Sequence, residues 1–216
     1  MATDKNTVRR LLDEAGRTYA SEAGIRLTNS PSPLYRLLVL SVLLSTRIRA
    51  DIAVAAAREL AKAGCTTARR TLGTTWQQRV DALGRAHYVR YDESTATALG
   101  EGARLLLDEY RGDLRRLREE ADGKASGIRK LLQKTPRLGP VGADIFCREA
   151  QLVWPELRPY LDRRTLKGAR SLGLPGTPER LAGLVDEGDL ARLSAALVRV
   201  TLDDAIAERV KAGRDA

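Results

Sequence analysis

Residues 34–46 constrain this chain most, because they place apolar side chains on nearly every side of a helical path. A helix of that kind has no face to offer water, so it must lie inside a core built by other elements. Its longest apolar run, residues 37–44, is broken by Ser41 and is far too short to span a bilayer. A turn cluster, Thr28-Asn29-Ser30-Pro31-Ser32-Pro33, precedes it. Ser32 is expected to cap the helix, with Pro33 at its first position.

The surrounding elements also read as helices. Ala, Leu, Arg and Glu dominate, aromatic content is 4%, and Val-Ile-Thr alternation is scarce. Val8, Leu11, Leu12, Ala15 and Tyr19 recur at helical spacing and predict one helix over 6–23. Further helices are expected over 51–63, from a Thr75 cap to near Gly84, over 92–110 with Gly112 closing it, and over 113–121. Ile128, Leu131 and Leu132 share a face of a short helix that stops before Pro136. Others are expected over 142–153, 162–172 with Gly173 at its end, from Thr177-Pro178-Glu179, and over 189–199 and 202–212. The fold class predicted is all-α. No internal repeat stands out, and the first and last few residues read as frayed tails.

The 37 basic and 28 acidic residues leave a formal charge of +9. Such an excess attracts polyanions, nucleic acid first among them, although an Arg-rich coding bias gives the same charge without a ligand. With two cysteines and one histidine the chain cannot build a four-cysteine zinc or iron–sulfur site. Met1 to Arg10 contains no apolar run of the secretory kind. With no membrane segment and no heptad seam, the expectation is a cytoplasmic monomer.

The most informative stretch is 128–173. A short helix, the tight turn Leu138-Gly139-Pro140-Val141-Gly142 and a second helix form a helix-hairpin-helix. Such a turn exposes main-chain N–H groups where no intrahelical acceptor exists. With the helix dipole they suit a phosphate oxygen, and glycine allows close approach. Leu138, Gly139, Val141, Gly142 and Ala143 are the candidate contacts. Contacts of this kind position a protein on a duplex without reading sequence.

The segment 138–144, followed by Tyr160-Leu161-Asp162-Arg163-Arg164, resembles the helix-hairpin-helix base-excision DNA glycosylases of endonuclease III type. In that superfamily a Leu-Pro-Gly-Val-Gly hairpin precedes a catalytic Asp, and the interval from Asp144 to Asp162 matches that between the lyase lysine and that Asp. Leu43-Leu44-Ser45-Thr46-Arg47 is similar to the family's Leu-Leu-Ser-x-Gln segment, which supplies an intercalating side chain. The resemblance covers roughly 34–200. It implies a two-lobed helical bundle with a cleft between the lobes, the whole of 1–216 being one endonuclease III-like unit. The central lobe would be about 30–134, the second about 1–29 with 135–216, and the hairpin at 125–153 would lie at their junction. It implies Asp162 as catalytic carboxylate, Arg47 as intercalating side chain, and Arg163, Arg164 and Lys167 as DNA contacts. His87 and Tyr88 are a possible base pocket. The partner implied is double-stranded DNA containing a damaged or mismatched base, met at the nucleoid.

The departures carry equal weight. Gly-Pro stands where the family has Pro-Gly, and Pro140 has no N–H, so a donor is missing or the turn is rearranged. Asp144 occupies the lysine position, and a carboxylate cannot form a Schiff base. The four-cysteine motif is absent, so no iron–sulfur cluster, and no other metal or cofactor, is expected. A monofunctional N-glycosylase that leaves an intact abasic site is the expectation. The alternatives are a non-catalytic helix-hairpin-helix DNA-binding or damage-sensing protein, and an unrelated helical binding protein. Each residue also has a plainer role open to it. Asp144 suits the first turn of a helix, where it would repel phosphate unless paired, for instance with Arg148 or Arg137. Asp162 can be an N-cap, His87 a structural residue, Cys147 core, and the basic run a solvated face.

Overall fold

The computed structural model describes residues 2–212; the part of the tail expectation that falls on residues 1 and 213–216 lies outside the described residues. The fold is all-α, with no strand among the described residues. In chain order the helices are α1 (Ala2–Ala15), α2 (Tyr19–Glu22), α3 (Pro31–Leu44), α4 (Ala50–Lys62), α5 (Ala68–Leu72), α6 (Trp76–Arg85) and α7 (Asp92–Tyr110). There follow α8 (Leu114–Glu120), α9 (Ala125–Leu132), α10 (Pro140–Ala150), α11 (Arg163–Ser171), α12 (Pro178–Ala182), α13 (Leu190–Val200) and α14 (Asp204–Ala212). Two compact units result. One runs from Ala20 to Cys147; the other holds the chain up to Tyr19 and from Arg148 onward.

In the Ala20–Cys147 unit α3 is the core. Leu34, Tyr35, Leu37, Leu38, Val39, Leu40, Val42 and Leu43 are all buried. The buried Ser41 hydroxyl donates to the Leu37 carbonyl at 2.8 Å, so the break in the apolar run leaves no unsatisfied group. The helix starts earlier than the sequence predicts. Pro31 is its first residue and Ser30 its N-cap position, because proline fits the first turn at either point. Ser32 donates instead to the Thr66 carbonyl at 2.9 Å, pinning the α4–α5 loop. Helix α5 was not legible in the sequence; Thr67 caps it, and it packs against α7. The Arg79 guanidinium of α6 is buried and donates to the carbonyls of Ala96, Thr74 and Thr71 at 2.9, 2.8 and 3.2 Å. One cation thereby joins α5, α6 and α7.

In the other unit Val8, Leu11, Leu161, Leu172, Leu193, Leu197, Val200 and Val210 pack α1, α11, α13 and α14 together. Gly168 of α11 lies against α13 so closely that a Cβ there would sit 2.0 Å from the Leu197 carbonyl oxygen. The single helix expected over 6–23 is two, broken at Gly16–Thr18. Arg192 donates to the Gly16 carbonyl at 3.3 Å, and Arg199 to those of Ala15 and Arg17. The Glu149 carboxylate accepts the Tyr19 N–H at 3.0 Å, which opens α2. Long-range partners thus override a periodicity that continues through the break.

The unit boundaries fall at Tyr19/Ala20 and Cys147/Arg148. The sequence put them near 29/30 and 134/135. The difference arises because α9, the hairpin turn and the first turns of α10 pack with the Ala20–Cys147 unit.

Candidate nucleic-acid interface and candidate active-site carboxylate

The hairpin turn joins α9 to α10. The Gly139 carbonyl accepts the Ala143 N–H at 3.1 Å, so α10 starts at Pro140 and not near 142. Pro140 holds the first helical position, where the missing N–H would have had no intrahelical partner. The Gly-Pro order therefore removes one donor and leaves the helix start regular. Ala143 spends its N–H inside the helix, and Leu138 donates to the Thr135 carbonyl at 3.0 Å. Both side chains are buried. Amides able to meet a phosphate are thus those of Gly139, Val141 and Gly142, with Val141 exposed beside them. Leu138 and Ala143 thus have their N–H groups bonded within the protein.

The two glycines do different things. A Cβ at Gly139 would meet nothing, so its surface is open. A Cβ at Gly142 would lie 2.6 Å from Leu138 Cδ1 and 3.3 Å from Ser45 Cβ, so Gly142 lets the turn fold onto the end of α3. The left-handed residue of the turn is Arg137, at φ 64. Its Nη1 donates to Ser94 Oγ at 2.7 Å, and its guanidinium lies 5.6 Å from the Tyr91 ring centre.

Asp144 is two residues further into its helix than expected, because α10 begins at Pro140. A macrodipole benefit fades beyond the first turn. Its Oδ1 accepts from Arg129 Nε at 2.6 Å, tying α10 to α9. Arg129 is thus a partner that answers the repulsion between Asp144 and a phosphate.

Two further loops are tied to this turn within the same unit. Ser45 touches it, and Arg47, two residues on, is exposed. Thr46 Oγ1 and the Tyr88 hydroxyl share a hydrogen bond of 2.9 Å. His87 closes α6 in the left-handed region at φ 58, its N–H bonded to the Gly84 carbonyl and that of Tyr88 to the Leu83 carbonyl. The Tyr88 side chain is wholly buried, and the exposed His87 is a helix-closing residue. Sequence reasoning missed Val89, which is 62% exposed; beside it Arg90 lies over the Tyr91 ring at 5.3 Å. An aliphatic residue just past a helix end, between Tyr88 and Arg90, was the signal available.

Asp162 belongs to the other unit. It is the N-cap of α11, its Oδ1 accepting the Thr165 N–H at 3.0 Å. Its Oδ2 lies 3.7 Å from Arg148 Nε, both side chains being almost buried. Among the described residues Oδ2 accepts no hydrogen bond. Gln151 holds the segment before it, donating through Nε2 to the Tyr160 carbonyl at 3.2 Å and accepting the Tyr160 N–H at 2.9 Å. Arg163 and Lys167 are exposed one turn apart on α11, and Arg164 reaches Thr201 Oγ1 at 3.0 Å. Cys147 is core, as is Cys65, whose thiol burial pushes up. No group of three acidic, cysteine or histidine side chains able to hold a metal occurs among the described residues.

The candidate residues therefore form two sets. Gly139, Val141, Gly142, Arg47 and Val89 belong to one unit, and Asp162, Arg163, Arg164 and Lys167 to the other. The fold is all-helical, with a hairpin turn between α9 and α10 and a capped carboxylate at the start of α11. A solved structure of similar fold is that of a trapped endonuclease III–DNA covalent intermediate, an estranged-adenine complex. It has a TM-score of 0.50 and 15% identity, over 91% of this chain and 85% of that one. The likeness is one of fold. No family model and no curated protein matches the chain.

Proposed function

We propose that the chain is a monofunctional DNA N-glycosylase acting on a damaged or mispaired base in duplex DNA, with Asp162 as its catalytic carboxylate. It would work as a monomer in the cytoplasm, at the nucleoid, without a bound metal or cluster. The observation that carries the reading is the Asp162 carboxylate. One oxygen is fixed by the α11 N-terminus and the other, 3.7 Å from Arg148 Nε, accepts no hydrogen bond among the described residues, in a chain whose fold is similar to that of endonuclease III. The hairpin amides and a charge of +9 fit a phosphate backbone.

A glycosylase must take its base out of the stack, at a cost of a few kcal/mol that is least for damaged or mismatched bases. Arg47 would fill the space left, its planar guanidinium suited to stacking on bases. Loss of the base leaves positive charge on the sugar. The Asp162 carboxylate would stabilise that charge and orient or deprotonate an attacking water. Asp144 has no amine to offer, so the product would be an intact abasic site.

The test is a release assay over uracil, oxidised, alkylated and mispaired bases. Asp162→Asn is expected to lower the rate on the preferred duplex by about 100-fold or more while sparing DNA affinity. Full excision by that variant would remove the assignment. A covalent adduct trapped with borohydride would contradict the monofunctional reading. The second reading, a non-catalytic DNA-binding or damage-sensing protein, is favoured by the cap bond and ion pair of Asp162, which a purely structural aspartate would also make. Tight binding to a damaged duplex without base release would support it.

A further inference from the structure

We infer that Arg148 is a positioning residue: its guanidinium sets the orientation of the Asp162 carboxylate, and so of the oxygen left open to react. The inference rests on the glycosylase reading for its kinetic consequence, but not for its geometry.

Arg148 sits in the last turn of α10, where the helix dipole favours a cation. It is buried, and a buried cation is tolerated only when paired or well hydrogen-bonded. A carboxylate facing it is that of Asp162, with 3.7 Å between Nε and Oδ2. That distance is an ion pair but lies beyond hydrogen-bond reach. The attraction therefore constrains the carboxylate without occupying an Oδ2 lone pair. Oδ1 is fixed independently by the Thr165 N–H at 3.0 Å. Two anchors determine the plane of a carboxylate; one leaves it free to turn about that bond.

The register between Arg148 and Asp162 is held by a third residue. Gln151 Nε2 donates to the Arg148 carbonyl at 2.8 Å and to Ser194 Oγ at 3.0 Å, while the same amide brackets Tyr160. Ser194 Oγ in turn donates to the Tyr160 carbonyl at 3.1 Å. The end of α10 and the strand of chain entering α11 are thereby locked together. A guanidinium is a planar donor and not a nucleophile, so it can orient a carboxylate without opening a covalent route.

The experiment compares wild type, Arg148→Lys and Arg148→Met by two measurements. The first is the Thr165 amide resonance in a proton–nitrogen correlation spectrum, which reports the Asp162 carboxylate directly; Asp162→Asn assigns its response. The second is the single-turnover rate of base release on the best duplex, with DNA affinity alongside. In Arg148→Met the Thr165 resonance is expected to move, and the rate to fall about 100-fold with affinity unchanged, the scale of a misplaced reacting group. Arg148→Lys keeps the charge and is expected to restore most of both. Were the Thr165 resonance unmoved in folded Arg148→Met, the inference would be overturned. An equal loss in Lys and Met variants would overturn it too, because that is the signature of lost packing. If Arg148→Met does not fold, Arg148→Lys against Arg148→Gln decides by the same criteria. If wild type releases no base from any duplex, the glycosylase reading fails, and the Thr165 resonance alone decides the role of Arg148.

Discussion

At the scale of single residues, glycine does three separate jobs in this chain. Gly168 lets two helices touch, Gly142 lets a turn fold back on Leu138, and Gly139 keeps a surface open. These predict different costs. In Gly168→Ala the new methyl meets main chain, the Leu197 carbonyl oxygen, which cannot rotate away. Overpacking of that kind costs about 1–3 kcal/mol, and thermal unfolding is expected to shift down accordingly. In Gly142→Ala the methyl meets the far end of the Leu138 side chain, which can turn. The loss there should be smaller than for Gly168→Ala. Equal losses would show that the turn at Leu138 is as rigid as the α11–α13 contact.

At the scale of elements, the hairpin is held by its own charges. Arg129 and Asp144 cross-link α9 and α10, half-exposed on one side. A pair of that exposure contributes on the order of 0.2–1 kcal/mol after solvent screening. Asp144→Asn should therefore cost little stability. It removes a negative charge near the hairpin amides and the ion pair that this charge makes with Arg129. Duplex affinity is expected to rise several-fold at low salt, read by fluorescence anisotropy, and the gain should vanish at high salt. No change in affinity would mean that the hairpin does not meet the backbone. The neighbouring elements show the same economy: α6 ends in a left-handed His87, and α7 in a left-handed Arg111 followed by Gly112.

At the scale of the whole molecule, the charge of +9 would make the proposed duplex binding a counterion-release process. The logarithm of the binding constant should fall linearly with that of salt concentration. Each cation that neutralises a phosphate contributes about 0.9 to the slope. Arg47→Gln and Lys167→Gln, one in each unit, are each expected to lower the slope by about one. A slope unchanged in either would take that residue off the nucleic-acid surface. No helix among the described residues is long and apolar enough to cross a membrane.

Periodicity and turn chemistry made the helical class legible, along with the buried α3, the hairpin, and Asp162 at a helix start. Those signals are local, a few residues long and set by backbone sterics, so one chain suffices to read them. Partners were not legible. Asp144 met Arg129, Arg148 met Asp162, and Tyr88 turned inward to Thr46. The break at Gly16–Thr18 and the burial of Arg79 among carbonyls likewise depend on distant residues. A side chain's choice of partner is decided by competition among groups far apart in sequence, and only the folded chain holds that competition.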